Sequence, residues 1–178
     1  MAARYAGVSV ITTTIAQAQR QYDLLRAEGL PPERIVIGQC DDSRAVDIKR
    51  DQHFAGQGAY VAYDHIGWED GAAHAMPDEQ RAKLVKEMVA AGFAQRVVLS
   101  CSAVGCALGV AASKHGYAYL LKSFVPLLAK SGVSEKAIHI MLTENPQRIL
   151  TAQQDEESAA QLQAFAEGFR SASQAAGL

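Results

Sequence analysis

Four short apolar runs constrain this chain more than any other feature: Val8 to Ile11, Ile35 to Ile37, Ala59 to Tyr63 and Val97 to Leu99. Gly and polar turn residues bound them, so they read as strands buried on both faces. Longer segments with helical spacing separate them. Ala16 to Ala27 carries Tyr22, Leu24 and Leu25 and stops at Gly29-Leu30-Pro31-Pro32. Asp42 to Gln57 is a weaker helix, its apolar pattern broken by Lys49, Arg50 and Asp51. Pro77 to Ala91 opens on Pro-Asp-Glu, sets Leu84, Val85, Met88 and Val89 on one face and ends at Gly92. The order is βα four times over, with roughly 22 to 38 residues from strand to strand, the size of successive βαβ units. That implies a parallel sheet with right-handed crossovers. Topology alone leaves both an open four-stranded layer and a piece of a closed barrel standing.

After the fourth strand comes a Gly/Ala/Ser-rich stretch, Ala103 to Gly116. A helix is expected from Tyr117 to Lys130, burying Leu120, Leu121, Phe124, Leu127 and Leu128. Another starts at an N-cap, Ser134, and ends at Asn145-Pro146. Residues 1–150 form one α/β unit on this reading, and 151–178 a helical extension. Leu162, Phe165, Ala166 and Phe169 of that extension repeat at the spacing of a helix laid against something apolar.

Composition narrows the function classes. A formal charge of -2 and the absence of a concentrated basic face argue against a nucleic-acid partner. No run approaches the roughly 18 apolar residues of a membrane span, and the first six residues carry no apolar signal-peptide core. Cys40, Cys101 and Cys106 are odd in number and lack zinc-ribbon spacing, which reads as free thiols in a reducing cytoplasm. Nucleophile-elbow, Walker and dinucleotide motifs are missing from the sequence.

Four blocks carry a family resemblance. They are Val10-Ile11-Thr12-Thr13-Thr14, the run from Arg34 to Asp42 ending Ile37-Gly38-Gln39-Cys40-Asp41-Asp42, the run from Gly58 to Gly67 containing Tyr63-Asp64-His65-Ile66, and Val97-Val98-Leu99-Ser100-Cys101-Ser102. Gly116-Tyr117-Ala118-Tyr119, Gly132-Val133-Ser134 and Asn145-Pro146-Gln147-Arg148-Ile149-Leu150 follow in order. From Gly7 to Thr151 the set resembles strands five to eight of phosphotriesterases and phosphotriesterase-like lactonases, in the amidohydrolase superfamily. The resemblance implies the C-terminal half of a (β/α)8 TIM barrel, with reacting groups at the C-terminal strand ends.

It further implies a hydrolase with two divalent metals, usually zinc, that activate a bridging hydroxide on esters, lactones or phosphotriesters. In the family a His-x-His on strand one and a carbamylated Lys on strand four supply ligands from outside the matching stretch. A His on strand five, a His on strand six and an Asp on strand eight supply the rest. Here those positions fall on Thr13, Gln39 and Ser102. Two hydroxyls and an amide are poor zinc ligands, so no metal cofactor is expected for this chain, and catalysis by the chain alone is not.

His65 matches a pocket histidine that works beside the strand-eight Asp. With Ser102 there instead, it is expected as a hydrogen-bonded pocket residue more than a catalytic one. Asp64, Trp68 and Cys101 are candidate pocket residues. Cys40, Cys101 and His65 form a conceivable substitute ligand set, while Asp41 and Asp42 read as a helix N-cap. The stretch Ala103 to His115 stands where the family has its substrate loop. His53, His74, His115 and His139 show no ligand-like pairing. A half-barrel leaves two strand edges and one sheet face open, so the expected partner is a second copy or a complementary half-barrel. The alternative is a subunit of a zinc hydrolase completed by that partner.

Overall fold

A computed structural model of the protein describes residues 2–69, 75–102, 116–152, 159–160 and 163–168. Helix α1 (Ala2–Ala6) precedes β1 (Val10–Thr12), α2 (Ala18–Ala27), β2 (Ile35–Ile37), α3 (Ile48–Gly56), β3 (Tyr60–Tyr63), α4 (Asp78–Ala90) and β4 (Val97–Leu99). After these come α5 (Val125–Lys130), α6 (Glu135–His139) and α7 (Asn145–Leu150). The four strands form one parallel sheet in the order β1-β2-β3-β4. Val10 pairs with Ile35, Val36 with Tyr60, and Val61 with Val97.

Period-two alternation sorts the strand residues onto two faces. Ile35, Ile37, Val61, Tyr63, Val97 and Leu99 join the main core, where the helices bring Phe54, Val85, Met88, Phe124, Leu128 and Met141. Val36, Tyr60, Ala62 and Val98 point the other way and meet Ile149 of α7. The inner face is therefore not left wholly uncovered. Two side chains clamp α7 across the foot of the sheet: Ser9 Oγ donates to Ile149 O at 2.9 Å, and Arg34 Nη1 donates to Arg148 O at 3.1 Å and Thr151 O at 2.8 Å. A cation on the last carbonyls of a helix satisfies their unpaired acceptors and its dipole. Ile11 at the β1 edge remains 58% exposed.

Several expectations change. Asn145-Pro146 does not end the sixth helix. A π-helical turn, Ile140–Glu144, precedes it, and the helix runs on through α7. The same device, Leu120–Phe124, precedes Pro126 in α5. Proline lacks an N–H and its ring crowds the carbonyl four residues back, and a widened turn relieves both. Leu121 is exposed, while Phe124 and Leu128 are buried.

The weak helix from Asp42 shortens to α3, capped by Asp47, which accepts from Lys49 N at 3.0 Å and Arg50 N at 3.1 Å. Asp41 and Asp42 are thus not its N-cap. Ser134 does cap α6, accepting from Ala137 N at 3.2 Å. Residues 163–168 are helical but exposed, Phe165 at 72%, so they lie against no apolar surface among the described residues. Leu162, Phe169, Cys106, His74, His115 and the stretch Ala103 to His115 fall outside the described residues.

Candidate active site at the strand ends

The C-terminal ends of the four strands lie side by side, and the sequence there dictates a tight rim. Gly38, just past β2, has no room for a side chain: a Cβ would collide with Thr12 O and meet Asp64 Oδ2 at 3.3 Å. Thr12 is buried between β1 and β2, its hydroxyl accepting from Gly38 N at 3.3 Å and donating to Val36 O at 3.4 Å. Thr13 beyond it is exposed and lines an open groove of about 310 Å³ with Ile11, Leu24 and Leu25.

Gln39 and Ser102 share an unusual backbone. They are the two described non-glycine residues with positive φ, at 60° and 42°. L-residues in the left-handed region are uncommon, and such conformations concentrate at functional sites. Both are positions where the family resemblance expects a ligand. Their donor chemistry does not fit zinc: Thr13, Gln39 and Ser102 offer two hydroxyls and a primary amide, with no imidazole, thiolate or carboxylate among them.

Behind this layer sits a dense polar network. Asp64 accepts from Gln39 N at 3.1 and 3.2 Å. Asp41, fully buried, accepts from Asp64 N at 3.1 Å, from His65 N at 3.0 Å and from Arg81 Nε at 2.8 Å. His65 Nδ1 stands 3.2 Å from Asp41 Oδ1 and 3.3 Å from Asp64 Oδ1. Its ring packs edge-on against Trp68, centroids 5.5 Å apart. Trp68 in turn donates from Nε1 to Cys101 O at 3.0 Å. Asp42 is buried too and pairs with the exposed Arg44, whose Nη2 lies 2.7 Å from it.

The electrostatics follow from these contacts. Burial alone would depress the His65 ring, but the hydrogen bond and charge of Asp41, with Asp64 beside it, outweigh burial and raise it. Burial opposes ionisation of Asp41 too, yet His65 and Arg81 hold it below the ordinary carboxylate range. Asp64 is pushed up to about 6 by burial and by the neighbouring Asp41 charge. Asp41, Asp64 and His65 are the only group of ligand-type atoms close enough to hold a cation among the described residues, within 4.8 Å of one another. Arg81 already supplies a cation to that group.

Cys40 takes no part. It is fully buried, its Sγ donating to Ile37 O at 3.3 Å, and burial raises its thiol well above the usual range. Cys101 is buried in the main core. Neither joins His65 as a ligand set among the described residues.

Sequence reasoning did not single out Arg81, although a signal was available. Arg81 precedes Leu84, Val85 and Met88 by three, four and seven positions, which puts it on the apolar face of α4. A charge on that face needs a buried partner. Asp51 is the same case: the residue that seemed to break the α3 pattern is fully buried and accepts from Tyr63 Oη at 3.1 Å and Arg50 Nη2 at 2.6 Å.

Comparison with known proteins agrees with this geometry. The family model described as "Phosphotriesterase family" matches residues 1–150. The phosphotriesterase homology protein of Escherichia coli is 33% identical over 141 residues, covering 78% of this chain and 46% of its own. Its crystal structure, with phosphate in the active site, superposes with a TM-score of 0.66 at 31% identity, over 80% of this chain and 47% of that one. A mutant organophosphorus hydrolase from Deinococcus radiodurans gives 0.71 at 25% identity, over 84% and 48%. The N-acetyltaurine hydrolase of Dictyostelium discoideum is 29% identical over 135 residues, 72% of this chain and 36% of its own. The chain thus spans about half the length of the relatives it matches, and its four βα units are about half of their barrel. This chain belongs to the phosphotriesterase family.

Proposed function

We propose that this chain is a phosphotriesterase-family half-barrel that keeps the family's rim architecture but, as it stands, has given up metal binding and independent hydrolysis. One observation carries the reading. At two of the three ligand positions the backbone holds the strained left-handed conformation, while the side chains there, Gln39 and Ser102, are not zinc donors. Thr13, the third, is a hydroxyl facing an open groove. Without a metal, hydrolysis would need another source of nucleophile activation and charge stabilisation. His65 can accept a proton, but no carboxylate stands at Ser102 to receive it onward.

The second reading is a hydrolase subunit completed by a partner, with His65 in a proton-handling role. It is favoured by the exposed apolar residues at one sheet edge, Ile11 and Leu24 each at 58%, and by the groove of about 280 Å³ between the inner face and α7. A second copy, or a half-barrel bearing strands one to four, is the expected cover. Substrates would then be esters, lactones, phosphotriesters or, by likeness to the N-acetyltaurine hydrolase, N-acyl amides.

Elemental analysis of the purified protein, with assays on one substrate of each class, separates the readings. The first expects far less than one zinc per chain and no turnover above blank. Stoichiometric zinc with turnover abolished by His65→Ala overturns it. The triple variant Thr13→His, Gln39→His, Ser102→Asp is expected to gain zinc affinity, read by calorimetry. A folded triple variant that binds no more zinc than the parent would refute the assignment of these positions. Solution mass addresses the partner: a cooperative monomer would oppose both cover arrangements.

A further inference from the structure

Arg81 is among the largest fully buried side chains of the protein, and each nitrogen of its guanidinium has a partner. Nε donates to Asp41 Oδ2 at 2.8 Å, Nη1 to Asp78 Oδ1 at 2.9 Å and to Met76 O, and Nη2 to Trp68 O at 3.0 Å. Asp78 also accepts from Gly67 N at 3.0 Å. One planar fork therefore ties the end of β2, the segment after β3 and the first turn of α4 together. A buried charge pair is weak evidence for stability, because an apolar replacement of similar size often serves as well. Its distinctive contribution is direction, since a guanidinium fixes a carboxylate's orientation in a way an ammonium does not.

The geometry points to Arg81 as the positioning residue for His65, acting through Asp41 to hold the imidazole with its proton on Nδ1. With Oδ2 taken by Arg81 Nε and His65 N, the other oxygen, Oδ1, accepts from Asp64 N at 3.1 Å and faces His65 Nδ1 at 3.2 Å. Asp64 Oδ1 lies 3.3 Å from the same nitrogen. A ring nitrogen between two carboxylate oxygens must carry the hydrogen, because ionised carboxylates only accept. The lone pair is then on Nε2, the nitrogen suited to take a proton from a reacting group. Arg81 itself touches no reacting atom. The use made of that lone pair rests on the second reading, the partner-completed hydrolase, while the orientation stands or falls without any turnover.

Nitrogen-15 spectra of the imidazoles in alkaline buffer, with His65 assigned through His65→Gln, give the test. The full chain should show His65 neutral with the proton on Nδ1, and that proton should exchange slowly. In Arg81→Lys, which keeps the charge and loses the fork, exchange should quicken by about tenfold or more, as for the loss of a charge-assisted hydrogen bond, and the second tautomer should appear. Arg81→Gln should behave alike if the lysine variant does not fold. A wild-type ring protonated on Nε2 overturns the inference with no variant at all. So does either folded variant with the wild-type tautomer and exchange rate.

Discussion

The rim holds two layers that differ in chemistry while sharing the same strand ends. In front, Thr13, Gln39 and Ser102 present neutral side chains, and two of the three sit on strained backbone. Behind, Asp41, Asp64, His65, Asp78 and Arg81 form a charged network whose buried carboxylates and guanidinium are bonded to one another. On the family resemblance, the front layer is where a hydrolase of this kind would hold its metals. The back layer packs behind it and holds its charges against one another. The difference teaches that the two have separate physical reasons to persist. Front-layer side chains answer only to chemistry, so their replacement is nearly neutral for folding. Back-layer charges answer to each other, because removing one leaves a buried ion without its counter-ion.

The largest expected effect follows from that. Arg81→Met should destabilise the fold by about 3–5 kcal/mol, the usual result of breaking a buried pair from one side. Urea unfolding would measure it. Gln39→Ala, one layer forward, should fall within about 1 kcal/mol of the parent, because alanine keeps both the backbone conformation and the Gln39 N–H bond to Asp64. Similar losses from both substitutions would erase the distinction between the layers.

Thr13, Gln39 and Ser102 are singled out by the family resemblance, and they lie just past the ends of three strands. The strands themselves depend on local order, and the apolar runs became strands with shifts of at most two residues. The four-unit parallel sheet was legible for the same reason. The back layer was not, because it is assembled from residues far apart in the chain. Arg81 reaches Asp41 across 40 positions, and the aspartate pair after β2 looked locally like a helix cap. The true cap, Asp47, lies six residues on. Nor does spacing alone disclose that a proline can follow a π-helical turn without ending its helix, as at Pro146.

An intermediate effect comes from pH, and its sign can be worked out. Asp64 and Asp51 are each raised from 3.8 to about 6, chiefly by burial. Asp64 faces Asp41 and His65, and Asp51 faces Arg50, Tyr63 and Cys40. A raised carboxyl binds more proton when folded than unfolded, so its contribution is full below about 3.8 and is lost as pH rises through about 6. The raised His65 acts with the same sign, its contribution lost as pH climbs through its folded value. Asp41, being lowered, acts oppositely and is lost in acid. The melting temperature should therefore peak near pH 5, with a decline of several degrees toward pH 8, the scale of about 1 kcal/mol. Calorimetry across that range checks it. Asp51→Asn should shallow the decline from the core side, while Asp64→Asn should shallow it from the back layer. A melting temperature still rising from pH 5 to pH 8 would contradict the assignments.

The smallest effect bears directly on the front layer. Gln39 and Ser102 hold φ values of 60° and 42°, a conformation that disfavours an L-residue by about 1–2 kcal/mol. Glycine removes that strain but loses about 0.5–1 kcal/mol more conformational freedom on folding. Gln39→Gly and Ser102→Gly should each come out stabilised by about 0.5–1 kcal/mol on these two opposing terms, measured by urea unfolding. The alanine variants should gain nothing, since alanine keeps the strain. A glycine variant less stable than its parent would mean that the amide of Gln39 or the hydroxyl of Ser102 makes a bond worth more than the strain it sits on. The front layer would then be a rebuilt site with its own polar chemistry. Stabilisation in both would instead mark the strained backbone as the remnant of ligand positions whose side chains no longer do anything for the fold.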